Sequence, residues 1–306
     1  MRPTINKVWF NGGPSLVTYS LASGIDPTKC GGYWSPITAS GPESALSGVL
    51  AGFVFTAITV VLTTNIARHA RAEKKINWRS YALQLFFAAF IGLALDSYFA
   101  SITAGELACN RAYAESALSG GTLGDGAILM IAGLGCLIAT FPIPESGIED
   151  VLLYINRGVW TLIIIMLAIS SADVGDAMLP NQSHVVVNLL PAVLAVALAA
   201  LVFSAERISR RMPLQIMWWV RFAALSGLGA AIFAGLFTGI ASAFGATWWT
   251  NPPAAAVYAV TALAMLVPAV PLLASVPVAT AARDAAGALR REDGKHESVL
   301  GAPSDP

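Results

Sequence analysis

The chain has 306 residues and no net charge; 56% of the residues are hydrophobic, only 12% are charged, and the mean hydropathy is +0.67. Soluble domains carry about 25% charged residues, so this depletion excludes an ordinary soluble domain. Too few basic clusters with interleaved aromatic residues are present for a nucleic-acid partner. The apolar residues form continuous runs rather than the alternating pattern of a transmembrane β-barrel, which predicts an all-α polytopic membrane protein.

Residues 1–44 are rich in Gly, Pro, Ser and Thr and contain no apolar run long enough to cross a bilayer. This N-terminal segment also lacks the charged start and the apolar run of a signal peptide. Its aromatic residues favour a segment that packs against the rest of the protein: Trp9, Phe10, Tyr19, Tyr33 and Trp34.

Residues 45–276 contain seven apolar segments, and each is predicted to form a transmembrane helix. The predicted spans cover residues 45–64, 81–103, 126–141, 158–172, 185–204, 218–244 and 254–273. Residues 106–122 are polar enough for a loop, and residues 148–156 fit a short interfacial helix before the fourth span.

The C-terminal part of the chain contains prolines and then becomes polar. Pro268 and Pro271 lie within the seventh span and are expected to kink it, because proline removes a backbone hydrogen bond and its ring clashes with the preceding turn. Residues 277–306 are predicted to be a tail that is helical to Gly294 and partly disordered beyond it.

The second predicted span contains Asp96, the acid that lies deepest in any of the seven spans. If this helix begins near Tyr81, Asp96 lies about 22 Å along it, inside a hydrocarbon core about 30 Å thick. Phe86, Phe90 and Leu93 fall on other faces of the helix and are expected to meet lipid. The face that includes the acid is small or polar at every fourth residue, which predicts that it points into the bundle: Gln84, Ala88, Gly92, Asp96 and Ala100.

A charge at the centre of a membrane helix costs roughly 2.5–3.5 kcal/mol on insertion scales, so such acids usually face protein or water. Two roles fit Asp96 equally: a site that handles ions or protons, and a hydrogen-bonded structural acid. An intramembrane enzyme with Asp96 as its acid–base group is a weaker interpretation, because no nucleophile or metal-ligand motif accompanies it. The sequence indicates no particular metal or cofactor.

Basic residues predict the orientation of the spans. The loops after the first and fifth spans and the tail are rich in Lys and Arg, whereas the loops after the second, fourth and sixth spans contain only Arg111. Because cytoplasmic loops are enriched in basic residues, the N-terminus is predicted outside and the C-terminus inside. Together with the Ala-rich composition, this pattern predicts a multi-pass protein of a bacterial plasma membrane.

Cys30 and Cys109 both fall on the predicted outer side, where the environment is oxidising and disulfides persist. A bond between them would fasten the N-terminal segment to the loop after the second span. The alternative is two free thiols, because sequence alone does not prove the pairing. Cys136 lies inside the third span and is expected to be an inert apolar side chain.

Acidic residues accumulate on the predicted outer side, where a negative mouth would concentrate cations. Asp125, Asp173 and Asp176 are the candidates for an outer vestibule that leads to Asp96. The alternative is that acids remain outside because basic residues are kept inside, with Asp125 capping the third helix. Asp173 and Asp176 are expected to lead into the loop that ends near His184.

The sequence therefore supports two functions. The first is a cation or proton channel or transporter that uses Asp96 as its intramembrane site, with Asp125, Asp173 and Asp176 around its outer mouth. The second is a non-transporting sensor or an accessory subunit of a larger membrane complex. The partners that fit these hypotheses are the lipid bilayer, a cation or proton, and a second copy of the chain or a partner membrane subunit.

Overall fold

The computed structural model describes residue 30 and residues 35–66, 77–106, 108–140, 148–179, 183–209 and 215–300. Within these residues, all regular structure is helical: α1 (Pro36–Ile66), α2 (Trp78–Thr103), α3 (Cys109–Ile138), α4 (Ile148–Met178), α5 (His184–Ser209), α6 (Ile216–Ala243), α7 (Ala246–Thr250) and α8 (Ala254–Leu300). All of these except the short α7 are long and apolar enough to cross a membrane. The prediction of an all-α membrane protein with seven spanning helices is confirmed.

Consecutive spanning helices run in opposite directions, so each end of the bundle contains the termini of several helices. Ser44, near the start of α1, donates a hydrogen bond to the backbone oxygen of Ser97, near the end of α2. Cys30 and Cys109 lie at the same end, at disulfide-bonding distance and with their Cα atoms 5.4 Å apart. We call this end the disulfide end and the opposite one the far end. The aromatic residues of the N-terminal segment lie outside the described residues.

Basic side chains are unevenly distributed between the two ends. Among the described arginine side chains, Arg111 alone belongs to the disulfide end. The others lie toward the far end: Arg79, Arg157, Arg207, Arg221 and Arg283. The positive-inside rule therefore favours the far end as the cytoplasmic side, and the orientation stays a prediction.

The helix α3 lies at the centre of the bundle and packs against α1, α2, α4, α6 and α8. Its glycines allow this close packing, because glycine has no side chain to hold the neighbouring helices apart where they come closest. A Cβ atom at Gly126 would lie 2.6 Å from Leu93 Cγ, and one at Gly133 would lie 2.8 Å from the Phe86 ring. Leu93 and Phe86 fill the space over these glycines and are buried, so the expectation that they meet lipid is wrong.

The small and polar face of α2 points into the bundle as predicted. Ala88, Gly92, Asp96 and Ala100 are buried, and Gln84 is partly buried. Since α2 lies between α1 and α3, it has a second buried face that the sequence pattern does not reveal.

The start of α3 differs from the sequence prediction. The helix begins at Cys109, so most of the segment 106–122 is helix rather than loop. Hydropathy misses this part because its polar side chains are enclosed by protein instead of lipid. Glu115, Ser119 and Thr122 are all buried inside the bundle.

Two further boundaries differ. The helix α4 begins at Ile148 without a separate interfacial piece, and it includes Asp173 and Asp176 in its last turns. The helix α8 includes Pro268 and Pro271 and continues beyond Gly294 to Leu300. In both places, a polar or proline-containing stretch prolongs a helix whose apolar part is already packed in the bundle.

Replacing Gly126 by alanine is expected to destabilise the protein by about 1–3 kcal/mol, because the new methyl group overlaps the buried Leu93 side chain. Gly120→Ala on the same helix is the matched control, since a Cβ atom there has no neighbour within 4 Å. Thermal unfolding in detergent measures both. Equal midpoints for the two variants would contradict the packing described here.

Removal of the Cys30–Cys109 bond is expected to cost about 2–4 kcal/mol, because the bridge restricts the unfolded chain. Cys30→Ser, Cys109→Ser and the double variant should then show the same loss, measured by chemical unfolding. A reducing agent should lower the wild type to that level and leave the double variant unchanged. Additive losses would show that the two thiols act independently.

Candidate functional site

Asp96 lies fully buried in α2, and three hydroxyl groups from the neighbouring helices donate hydrogen bonds to it. Ser47 Oγ of α1 donates to Oδ2 over 2.5 Å. From α3, Ser119 Oγ and Thr122 Oγ1 each donate to Oδ1 over 2.7 Å. Hydrogen bonds to an ionised acceptor are about twice as strong as those between neutral groups. One carboxyl group therefore connects three membrane helices.

Small residues bring α1 close enough to α2 for this arrangement. The Ser97 hydroxyl donates to the Ser44 backbone oxygen over 2.9 Å, and the Ser44 and Ser101 hydroxyls are 2.8 Å apart. Gly48 follows Ser47 directly, and a Cβ atom there would lie 3.5 Å from Ser97 Oγ. Residues of this size let two membrane helices approach closely and bond through their hydroxyl groups.

A second carboxyl group, that of Glu43, belongs to the same cluster. Glu43 lies in α1 one turn before Ser47, is partly buried, and interacts electrostatically with Asp96. It also shares the Ser119 hydroxyl with Asp96. Sequence reasoning missed Glu43 because the first span was drawn from residue 45. The four-residue spacing of Glu43 and Ser47 was the signal that places both on one helix face.

Polar residues continue from this cluster toward the disulfide end. Glu115 is buried in α3 one turn before Ser119, and Thr103 Oγ1 of α2 is 3.5 Å from its Oε2 atom. Arg111 Nε is 3.8 Å from Glu115 Oε1, and Arg111 also forms an ion pair with Glu106. The α3 residues 115, 119 and 122 recur at helical spacing, so they form one polar face.

Asp125 lies near the middle of α3 and is also buried, with 2% of its surface exposed. Neither carboxyl oxygen has a hydrogen-bond partner among the described residues. The interpretation of Asp125 as a helix cap is wrong, because α3 begins at Cys109.

Asp173 and Asp176 lie in a different part of the disulfide end. Asp173 is exposed and interacts electrostatically with Tyr113 of α3. Asp176 accepts a hydrogen bond of 3.2 Å from Asn188 Nδ2 of α5. The structure thus gives these acids contacts with α3 and α5, while the hydroxyl donors of Asp96 come from α1 and α3.

From Asp125 to the far end, the buried residues of α3 are glycine or apolar: Gly126, Ile128, Leu129, Ala132, Gly133, Gly135 and Cys136. They pack in clusters that include Val220 of α6 and Leu272 of α8. The next buried acid in that direction is Glu206, which forms an ion pair of 3.0 Å with Arg157. These residues of α3 therefore form an apolar layer on this helix between Asp125 and the far end.

The arrangement consists of carboxyl and hydroxyl oxygens, which bind protons or cations. Among the described residues, no group of three or more His, Cys, Asp or Glu side chains is placed to hold a metal ion. No protein-family model, curated protein or solved structure matches the chain. What the protein does is therefore inferred from its own residues.

Replacing Thr122 by valine keeps the shape of the side chain and removes one donor to Asp96. A hydrogen bond to a charged group contributes about 1.5–3 kcal/mol, so the free energy of unfolding should fall by that amount. The control is Thr59→Val, because Thr59 is exposed and its hydroxyl donates to the Phe55 backbone oxygen of its own helix. A loss for Thr59→Val as large as that for Thr122→Val would contradict the role given to this hydroxyl.

Proposed function

We propose that the protein transports protons or cations across the plasma membrane, with the Glu43–Asp96 carboxyl pair as the binding site. The observation that carries the proposal is a fully buried carboxyl group, that of Asp96, that interacts with a second, partly buried one, that of Glu43. A purely structural connection between helices needs only neutral hydrogen-bonding groups, which cost less to bury. A second acid beside the first adds repulsion that a bound proton or cation removes.

The hydroxyl groups suit both states of such a site. A serine or threonine hydroxyl donates one hydrogen and also accepts through its oxygen. Ser47, Ser119 and Thr122, which bond Asp96 in the structure, can therefore donate to its ionised form or offer their oxygens to a proton donor or a cation. When the ion leaves, the hydroxyl groups still donate hydrogen bonds to the negative charge that remains on the carboxyl group.

Entry from the disulfide end is supported by the polar residues there. Glu115, Thr103 and the Arg111–Glu106 ion pair lie between that end and Asp96. Asp173 and Asp176 add negative charge at the same end and would attract cations to the mouth. With the predicted orientation, uptake takes place from the outside.

Release toward the far end requires a rearrangement, because the buried residues of α3 beyond Asp125 are apolar. The helix α8, which packs against α3, contains Pro268, Pro271 and Pro277. Each proline lacks the N–H group that would bond the preceding turn, so α8 is the helix that bends at least cost. These features favour a transporter over a continuously open channel.

The second candidate is a sensor or an accessory subunit that does not transport. The observation that favours it is the same apolar layer of α3. If this layer never opens, no ion crosses the bundle, and the carboxyl pair serves only to hold the helices together. This candidate predicts a stable partner that co-purifies with the protein, and no ion flux from the purified chain.

Asp96→Asn and Glu43→Gln are each expected to reduce flux in proteoliposomes to the level of empty liposomes, because an amide does not bind and release a proton or cation in this way. Flux is followed with an internal pH dye for protons and with radioactive sodium or potassium for cations. Asp150→Asn is the control, since this acid is exposed near the start of α4, at the far end of the bundle. Full flux from Asp96→Asn, with an unchanged unfolding midpoint, would contradict the proposal.

A further inference from the structure

On the basis of the proposed transport, we infer that the transported ion is the proton and that Asp125 receives it from Asp96. Asp125 is the buried acid that follows Asp96 toward the middle of the bundle. It lies on α3 three residues after Thr122, whose hydroxyl donates to Asp96. Thr122, one helical turn before Asp125, is thus bonded to Asp96, and its hydroxyl is a group that can both donate and accept hydrogen bonds.

The surroundings of Asp125 are set by the helices that face it. Gly121, one turn earlier, would place a Cβ atom 3.4 Å from the Ala264 backbone oxygen and 3.6 Å from the Pro268 side chain. Ile128, three residues later, packs in a cluster with Met265 and Leu272 of α8. Asp125 lies between these contacts, at the interface of α3 with α8.

Few titratable groups lie on α6 and α8, two of the helices packed against α3. On α6 there is Arg221, which is exposed near the far end, and the described side chains of α8 add Tyr258, Arg283 and Asp284. The other helices packed against α3 contribute further groups within the described side chains: Glu43 on α1, Arg79, Tyr81, Asp96 and Tyr98 on α2, and Asp150, Tyr154, Arg157, Asp173 and Asp176 on α4. Of all these, Asp96 is the one bonded to the turn of α3 that precedes Asp125.

A metal cation does not fit at Asp125. Calcium and magnesium take six or more oxygen ligands in proteins. Asp125 offers two oxygens, and neither has a polar partner among the described residues. The buried hydroxyls of α8 at Thr261 and Ser275 donate to backbone oxygens of their own helix. A proton needs no such shell, because it binds covalently to one carboxyl oxygen.

The two acids are placed for opposite protonation states. An ionised carboxylate buried without a partner is so costly that the group takes up a proton instead, which assigns the neutral form to Asp125. Asp96, with three hydroxyl donors, is suited to the ionised form. In the inferred transfer, the O–H bond of Asp96 breaks, an O–H bond of Asp125 forms, and the negative charge moves from Asp125 to Asp96.

The next step toward the far end is placed at α8. Pro268 has no N–H group, so the backbone oxygen of Ala264 lacks its α-helical donor. That oxygen faces Gly121, which lies one turn before Asp125 on the disulfide-end side of α3. A bend of α8 at this position would loosen the packing of α8 against α3 beside Asp125, which release toward the far end requires.

The test uses the full chain in proteoliposomes that contain a pH dye, with radioactive sodium and potassium measured in parallel. We expect proton flux and no cation flux from the wild type, flux at the level of empty liposomes from Asp125→Asn and Asp125→Leu, and partial flux from Asp125→Glu. Asp150→Asn should behave as the wild type. Asp125→Leu should also unfold at or above the wild-type midpoint, because it replaces an unpartnered polar group by an apolar one.

Infrared spectroscopy tests Asp125 independently of transport. The C=O stretching band of a protonated carboxyl group without a hydrogen bond should be present in the wild type and in Asp96→Asn, and absent from Asp125→Asn. Cation flux without proton flux would overturn this inference and leave the proposed transport intact. Full proton flux from Asp125→Asn, or absence of the infrared band from the wild type, would also overturn it. No flux of any ion from the wild type would overturn the proposed function, and this inference with it.

Discussion

The structure depends on how the charge of one buried carboxyl group is compensated. An acid in the interior of a membrane protein is tolerated when hydrogen-bond donors replace the water it has lost. At Asp96 these donors come from α1 and α3, so the acid fixes the rotation of both helices relative to α2. These bonds require small residues such as the serines and glycines along α1, because larger side chains would hold the backbones of α1 and α2 too far apart.

The central helix α3 has two different halves. Its first half, from Cys109 to Asp125, has buried acids and hydroxyls, while its second half has glycine and apolar residues. A central helix whose buried face is polar toward one end of the bundle and apolar toward the other is the arrangement expected of a site that exchanges with one side at a time. It is equally the arrangement of a sealed bundle, which is why flux measurements separate the two functions more sharply than stability does.

Asp96 and Asp125 show how surroundings assign different tasks to the same side chain. Both are aspartates, both are buried, and Asp125 lies one turn of α3 after Thr122, which is bonded to Asp96. Asp96 has three donors, whereas Asp125 has no hydrogen-bond partner among the described residues and lies beside the proline-containing part of α8. Natural proteins retain an unpartnered polar group in the core at a cost in stability, and such groups are found where function requires them.

The sequence by itself determined the class of the protein and the number of spanning helices, because each crossing of a bilayer requires about 20 apolar residues. It also identified Asp96 and the inward face of α2, since helical periodicity places every fourth residue on one side. The partners of Asp96 were decided by the tertiary structure alone. Ser47 and Ser119 are 49 and 23 residues away in the chain, and their meeting depends on the rotation and register of three helices. Hydropathy also missed the start of α3, because it records preference for lipid and the polar residues there are enclosed by protein.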